Sequence, residues 1–225
     1  MSFPQHLVSG LKEIKGENYL GIATCDYDSK FIEEILERGK KVYPNYHWKT
    51  NNLHIKKLKI DELTRKPAMR FENSLKISRR FGDDCGIPIP LALIYQGTTM
   101  EILTGKANGY FITQYVPGNT LIQEINKMPK TERDELFVLI KLRLNDYSRK
   151  GFHLLDFAPR DIILFPIENS HILPIFADTE HLELTGGSLE RKQMLLAEQK
   201  KQFKIDYEDY LSRRELKNTL DILFE

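Results

Sequence analysis

The chain has 225 residues, 41% hydrophobic and 29% charged, which suits one large domain or two small lobes sharing a cleft. A formal net charge of +1 lacks the basic excess of a dedicated nucleic-acid binder, so nucleic acid is not an expected partner. No stretch approaches the roughly 20 apolar residues of a membrane span. The first residues show neither a basic n-region nor an apolar h-region, so no secretory signal is expected. The two cysteines, Cys25 and Cys85, have no metal-ligand spacing, which points to a reducing cytoplasm.

Phe31, Ile32, Ile35 and Leu36 recur at helical spacing, which predicts a helix over 29–41. Residues 53–58 alternate with period two, placing Leu53, Ile55 and Lys57 on one face of a short strand. Lys56, Lys57, Lys59, Arg65, Lys66 and Arg70 form a basic stretch, readable as a solvated face or as attraction for phosphates. Pro67 opens a second helix over 68–81, with Phe71 and Leu75 facing inward. Gly86-Ile87-Pro88-Ile89-Pro90 reads as a rigid extended connection. Three strands are expected over 91–95, 100–103 and 110–114, separated by glycine-bearing breaks.

The pattern changes at Val116-Pro117-Gly118-Asn119, which sets a lobe boundary between 1–116 and 117–225. Beyond it the chain reads as mainly helical. A short element over 121–126 precedes a long helix from Thr131, with Asp134 completing a variant capping box and Gly151 ending the helix. Leu136, Ile140, Leu144 and Tyr147 form its core stripe. Residues 152–164 read as a loop, 171–177 as a buried strand, and 188–203 and 207–224 as two charged helices.

The stretch Leu154-Leu155-Asp156-Phe157-Ala158-Pro159-Arg160-Asp161-Ile162-Ile163-Leu164, followed by Asp178-Thr179-Glu180, carries the chemical signal. Phosphoryl transfer needs a carboxylate beside the acceptor hydroxyl and oxygen ligands for a magnesium ion on the nucleotide phosphates. Asp156 and Asp161 share a loop, and Asp178 ends an apolar strand. Taken singly, each aspartate also fits a turn or a cap, Lys56 an edge-strand charge and Glu72 a helix surface.

This order of motifs resembles the catalytic loop and metal-binding aspartate of the protein-kinase-like superfamily. The similarity is nearest to small bacterial aminoglycoside phosphotransferase-like kinases and lipopolysaccharide core sugar kinases. The resemblance implies an α+β, two-lobed protein-kinase-like fold, with a small antiparallel-sheet N-lobe carrying a helix and a reduced, mainly helical C-lobe. It implies Asp156 as catalytic base and Asp161 and Asp178 as metal ligands. It implies Lys56 as the phosphate lysine paired with Glu72, with Lys57 as the alternative because strand register is uncertain by one residue. Phe111-Ile112-Thr113-Gln114-Tyr115-Val116-Pro117-Gly118 resembles the gate strand and hinge, so Gln114, Tyr115 and Val116 would receive the adenine.

ATP and Mg2+ are the implied cofactors, and a hydroxyl-bearing glycan or small molecule is the implied acceptor, as in lipopolysaccharide biosynthesis. A cytoplasmic protein is expected, with room for peripheral association at the inner face of the membrane. The chain departs from the pattern at Leu154, where His or Tyr is usual, and at Asp161, where Asn is usual. No convincing glycine-rich loop precedes Lys56. These departures keep open a pseudokinase, and an atypical small Ser/Thr kinase is the third reading. The scattered histidines suggest no metal site, and His153 is expected to pack rather than to act as a base.

Overall fold

A computed structural model describes residues 11–24, 27–40, 47–50, 53–58, 67–81, 86–104, 106–154, 158–167, 172–179, 182–184 and 188–212. The chain divides into two compact units, Met1–Ser78 with Ile89–Tyr115, and Arg79–Pro88 with Val116–Glu225. The return of the 79–88 segment to the second unit differs from the single boundary expected at 116/117. Its cause is local: the Phe176 N–H donates to the Gly86 carbonyl at 2.8 Å. Gly86 also has a φ of 66° and lies beside the Arg143 and Tyr147 side chains.

The first unit is built on six antiparallel strands in the order β1-β2-β5-β6-β4-β3. These are β1 (Lys12–Lys15), β2 (Tyr19–Ala23), β3 (His47–Thr50), β4 (Leu53–Leu58), β5 (Pro90–Gln96) and β6 (Asn108–Gln114). Alternation divides the side chains between the two faces of this sheet. On one face, Ile32, Ile35 and Leu36 of helix α1 (Ser29–Lys40) cluster with Ile55, Ala92, Ile94, Tyr110 and Ile112. On the other, Phe71 and Leu75 of α2 (Pro67–Phe81) cluster with Ile22, Leu58, Leu93 and Phe111. The Phe71 and Phe111 rings meet edge to face, with centroids 5.5 Å apart.

The strand expected over 100–103 is instead helix α3 (Thr99–Leu103). Thr98 and Glu101 form a reciprocal capping box, in which the Thr98 N–H donates to Glu101 Oε2 at 2.7 Å. Local capping chemistry overrides the apolar strand-like run here. The β1–β2 hairpin, the edge strand β3 and the two-residue strand β7 (Asn119–Thr120) were not expected; each is short and paired with a neighbouring strand.

The second unit contains α4 (Leu121–Glu124), α5 (Lys130–Arg149) and α6 (Leu189–Ser212). The α5 stripe Leu136, Phe137, Ile140, Leu144 and Tyr147 is buried. The expected Thr131–Asp134 cap is not formed. Pro129 is the N-cap, and Asp134 accepts from Lys130 Nζ at 2.6 Å, one helical turn away. The two helices expected at the chain's end form one continuous helix through 203–207, and residues beyond 212 lie outside those described. No proline or glycine interrupts that stretch, and Phe203 anchors it in the core at 1% exposure. Ser188 Oγ accepts from the Arg191 N–H at its start.

Residues 152–164, expected as a loop, contain β8 (Phe152–Leu154), a 3₁₀ turn (Pro159–Asp161) and the start of β9 (Ile162–Pro166). β9 pairs with β10 (Ile172–Phe176) and with β7 (Asn119–Thr120), while β8 pairs with β11 (Leu182–Leu184). Gly118 allows the close β7–β9 approach: a Cβ there would stand 2.3 Å from the Leu164 carbonyl oxygen, at a φ of 139°. Both units are thus antiparallel sheets with helices, an α+β arrangement. No helix among the described residues is long and apolar enough to cross a membrane.

Candidate functional site

Two of the residues expected to carry chemistry in the second unit, Asp161 and Asp178, flank the ends of β9 and β10. Antiparallel register pairs Ile162 with Phe176, and both side chains are buried. One step further out, the Ala177 N–H donates to the Asp161 carbonyl at 2.7 Å. That bond extends the ladder past the strand ends, with Asp161 opposite Ala177 and Asp178 one residue further along. Asp161 closes the 3₁₀ turn, whose Pro159 presets the first φ and whose Asp161 N–H donates to the Ala158 carbonyl at 3.0 Å.

Both aspartates are half-buried. Arg160 Nε lies 3.8 Å from Asp161 Oδ1, with the arginine side chain 65% exposed, a pair that contributes little in water. The Thr179 N–H donates to the Ala177 carbonyl at 3.1 Å, and Thr179 is fully buried, so the chain on both sides of Asp178 is held.

Behind this edge, Tyr147 of α5 meets the Phe176 ring at 5.8 Å and 70°. The Gly86 carbonyl holds the Phe176 N–H. Gly86, expected only as part of a rigid connection, takes a positive φ of 66° that glycine permits.

Asp156, the expected base, lies outside the described residues, as do Glu180 and His181. Asp156 follows β8 by two residues in the chain. The β8 strand itself is firmly placed: Leu182 pairs with Leu154, and Gln199 Nε2 of α6 donates to the Leu154 carbonyl. Among the described residues, no three His, Cys, Asp or Glu are grouped closely enough to hold a metal ion. Asp161 and Asp178 each offer carboxylate oxygens. That chemistry fits Mg2+, which keeps waters and takes its remaining ligands from phosphate oxygens.

His153 on β8 is 1% exposed. Burial pushes its imidazole below the ordinary value of 6.5, the Gln199 side chain acts in the opposite direction, and the Lys192 charge acts with burial. The unfolded ring therefore takes up a proton near 6.5, while the folded ring does so only at lower pH. The stability linked to His153 is present above 6.5 and is lost as pH falls below it. His153→Leu is expected to melt with a smaller loss between pH 7.5 and pH 5.5 than the parent chain, by about 2 °C. Equal losses measured by thermal melts at the two pH values would contradict this.

In the first unit, β4 pairs Lys56 with Phe111 and Lys57 with Tyr110. Phe111 belongs to the cluster under α2 and Tyr110 to the cluster under α1. Strand alternation therefore sets Lys56 on the face covered by α2, the helix that carries Glu72, and Lys57 on the opposite face. Both lysines are buried, and desolvation lowers the Lys57 pKa. Glu72 is 22% exposed and ion-pairs with Lys76 at 2.7 Å.

Gln114 ends β6, and its N–H is committed to the Ile89 carbonyl at 2.8 Å. Tyr115 and Val116 follow, half-buried, with the division of the chain falling between them. Of the basic stretch noted in the sequence, Lys59, Arg65 and Lys66 lie outside the described residues, as do both cysteines.

No family model matches the chain, and no curated protein matches it. Among solved structures, one similar chain is the bifunctional kinase-methyltransferase WbdD. It superposes with a TM-score of 0.37 at 14% identity, over 68% of this chain and 34% of that one. The present chain thus spans about a third of that structure's length, and a superposition this loose carries no argument about fold or activity.

Proposed function

We propose that the chain is an ATP-dependent phosphotransferase with a kinase-like architecture, moving the γ-phosphoryl group of ATP to a hydroxyl acceptor. The observation that carries this reading is the 2.7 Å bond from the Ala177 N–H to the Asp161 carbonyl, which ties the stretch bearing Asp178 to the turn bearing Asp161. Two half-buried carboxylates on a rigid ladder suit a magnesium ion that also takes phosphate oxygens. Mg2+ bound there would neutralise charge on the β- and γ-phosphates.

In this reading Asp161 and Asp178 hold the ion, and Asp156 orients the acceptor hydroxyl and accepts its proton as the new O–P bond forms. Lys56, with Glu72 on the neighbouring helix, takes the phosphates. Gln114, Tyr115 and Val116 receive the adenine. The acceptor class is a sugar, such as one in the lipopolysaccharide core, and that choice rests on the sequence resemblance alone.

The test is a thermal melt of the full chain with ATP, with and without Mg2+, beside an assay of ATP consumption over a panel of sugar acceptors. Mg2+-dependent stabilisation together with acceptor-dependent turnover is expected. Absence of both would end the proposal. A pseudokinase is the second reading. It is favoured by Leu154, which stands where the superfamily has His or Tyr and is buried with its carbonyl bound to Gln199. Stabilisation without turnover on any acceptor would select it.

A further inference from the structure

Helix α5 has two unlike faces. Leu136, Phe137, Ile140, Leu144 and Tyr147 are buried in the second unit. The opposite face, with Glu132, Glu135, Val138, Leu139 and Leu142, is exposed. Val138 and Leu139 are each 43% exposed and Leu142 is 53% exposed. Leu142 stands three residues from Leu139 and four from Val138, so the three side chains share one face as a single apolar patch.

The course of α6 brings an occupant to this patch. α6 runs antiparallel to α5: Ser148 Oγ donates to the Lys192 carbonyl at 3.2 Å, and Lys200, further along α6, lies in the field of Lys141, earlier on α5. Continued at the same register, this pairing carries Ser212, the last residue of α6, to the N-terminal end of α5 near Lys130. Residues 213–225 follow and lie outside those described.

The sequence of that segment matches the patch in three respects. Ser212-Arg213-Arg214-Glu215 is a capping-box sequence, the start signal of a new helix, so the chain can change direction where α6 ends. Leu216, Leu220, Leu223 and Phe224 follow at i, i+4, i+7 and i+8, the apolar stripe of an amphipathic helix. The lengths agree: Leu220 to Phe224 stand eight to twelve residues past Ser212, as Val138 to Leu142 do past Lys130, about 12–18 Å along a helix in both cases. The charges agree as well, with Arg213 and Arg214 at the start of the segment and Glu132 and Glu135 at the start of the exposed face.

We propose that residues 213–224 fold back as a short amphipathic helix and dock on the exposed face of α5, with Leu220, Leu223 and Phe224 over Val138, Leu139 and Leu142. A tethered segment meets the patch at an effective concentration in the millimolar range, so a small patch can hold it. A second copy of the chain would need about 800 Å² per partner, roughly 20–30 residues a side, far more than this patch offers. A lipid surface is met by basic residues, whereas this face carries Glu132 and Glu135. The reading is independent of phosphate transfer.

The test is amide hydrogen exchange of the full chain, read over 213–225, with sedimentation measured alongside. Protection of 216–224 by about tenfold or more is expected, unchanged between dilute and concentrated monomer. Leu142→Glu should lower that protection about tenfold and leave exchange within β9 and β10 as in the parent chain. Met100→Glu, at a more exposed apolar position on α3, should leave the segment's protection unaltered. Exchange of 216–224 at the unprotected rate in the parent chain overturns the proposal. So does protection that Leu142→Glu leaves intact, which would mean a helix standing clear of α5. Protection seen only in a sedimenting dimer, or only with phosphatidylglycerol vesicles present, also overturns it and gives the patch to a second copy or to a lipid surface. Should Leu142→Glu disturb the unit, Leu220→Glu decides it: glutamate keeps helix propensity, so a loss of protection there reads docking.

Discussion

Replacing Asp178 by Ala is expected to lower phosphate transfer by about a thousandfold or more, the loss that follows when a metal ligand worth several kcal/mol is removed. The chain should still fold. Asp178 lies beyond the end of β10 and is half-buried, while the apolar residues that anchor the hairpin, Ile162, Ile175 and Phe176, are untouched. Melting within about 2 °C of the parent chain should therefore accompany the loss of turnover. Magnesium-dependent stabilisation by ATP should vanish with it. Asp161→Asn makes a contrasting test, because it keeps an oxygen donor and restores the residue usual in the family that the sequence resembles. It should retain most of the activity. Full turnover by the Asp178→Ala chain would remove Asp178 from the mechanism and with it the main support for phosphotransfer.

The second large effect lies just behind that carboxylate. Phe176→Ala should cost about 3–5 kcal/mol, the range for deleting a fully buried aromatic ring. Phe176 is 1% exposed and meets Tyr147 of α5 edge to face. The cavity would open between α5 and β10. Phe176→Leu keeps much of the volume and should cost less than half as much. Denaturant titration of the three chains would read the difference, and an Ala variant as stable as the parent would show that the second unit does not depend on this contact. The two changes separate roles two residues apart: the chemistry proposed for Asp178, and the anchoring of its strand by Phe176.

Much of the helix content was legible because apolar residues recur at 3.6-residue spacing wherever a helix covers a sheet. Helices over 29–40, 67–81 and 130–149 follow from that rule alone. The run at 100–103 was misread because its apolar residues outweighed Thr98 and Glu101, although the Thr-x-x-Glu spacing of a capping box was present. The β1–β2 hairpin escaped notice because Lys12–Lys15 is short, charged and exposed at three of its four positions; only pairing with β2 makes it a strand. The two helices expected over 188–203 and 207–224 are one through 203–207, where burial of Phe203 carries the helix on.

The candidate site divides in the same way. Asp161, Asp178 and Lys56 were recognisable as residue types in a suggestive order, because carboxylates next to apolar runs stand out locally. Their geometry was not, because it depends on partners distant in the chain. The neighbourhood of Asp161 and Asp178 is set by the β9–β10 register and the Ala177–Asp161 bond. The choice of face for Lys56 over Lys57 is set by which helix covers which side of the sheet. Local periodicity thus fixed the helices over 29–40, 67–81 and 130–149 from the sequence alone. Register, the covering of faces and the convergence of charges were decided by the tertiary structure, because each is an interaction between segments that a linear reading cannot pair.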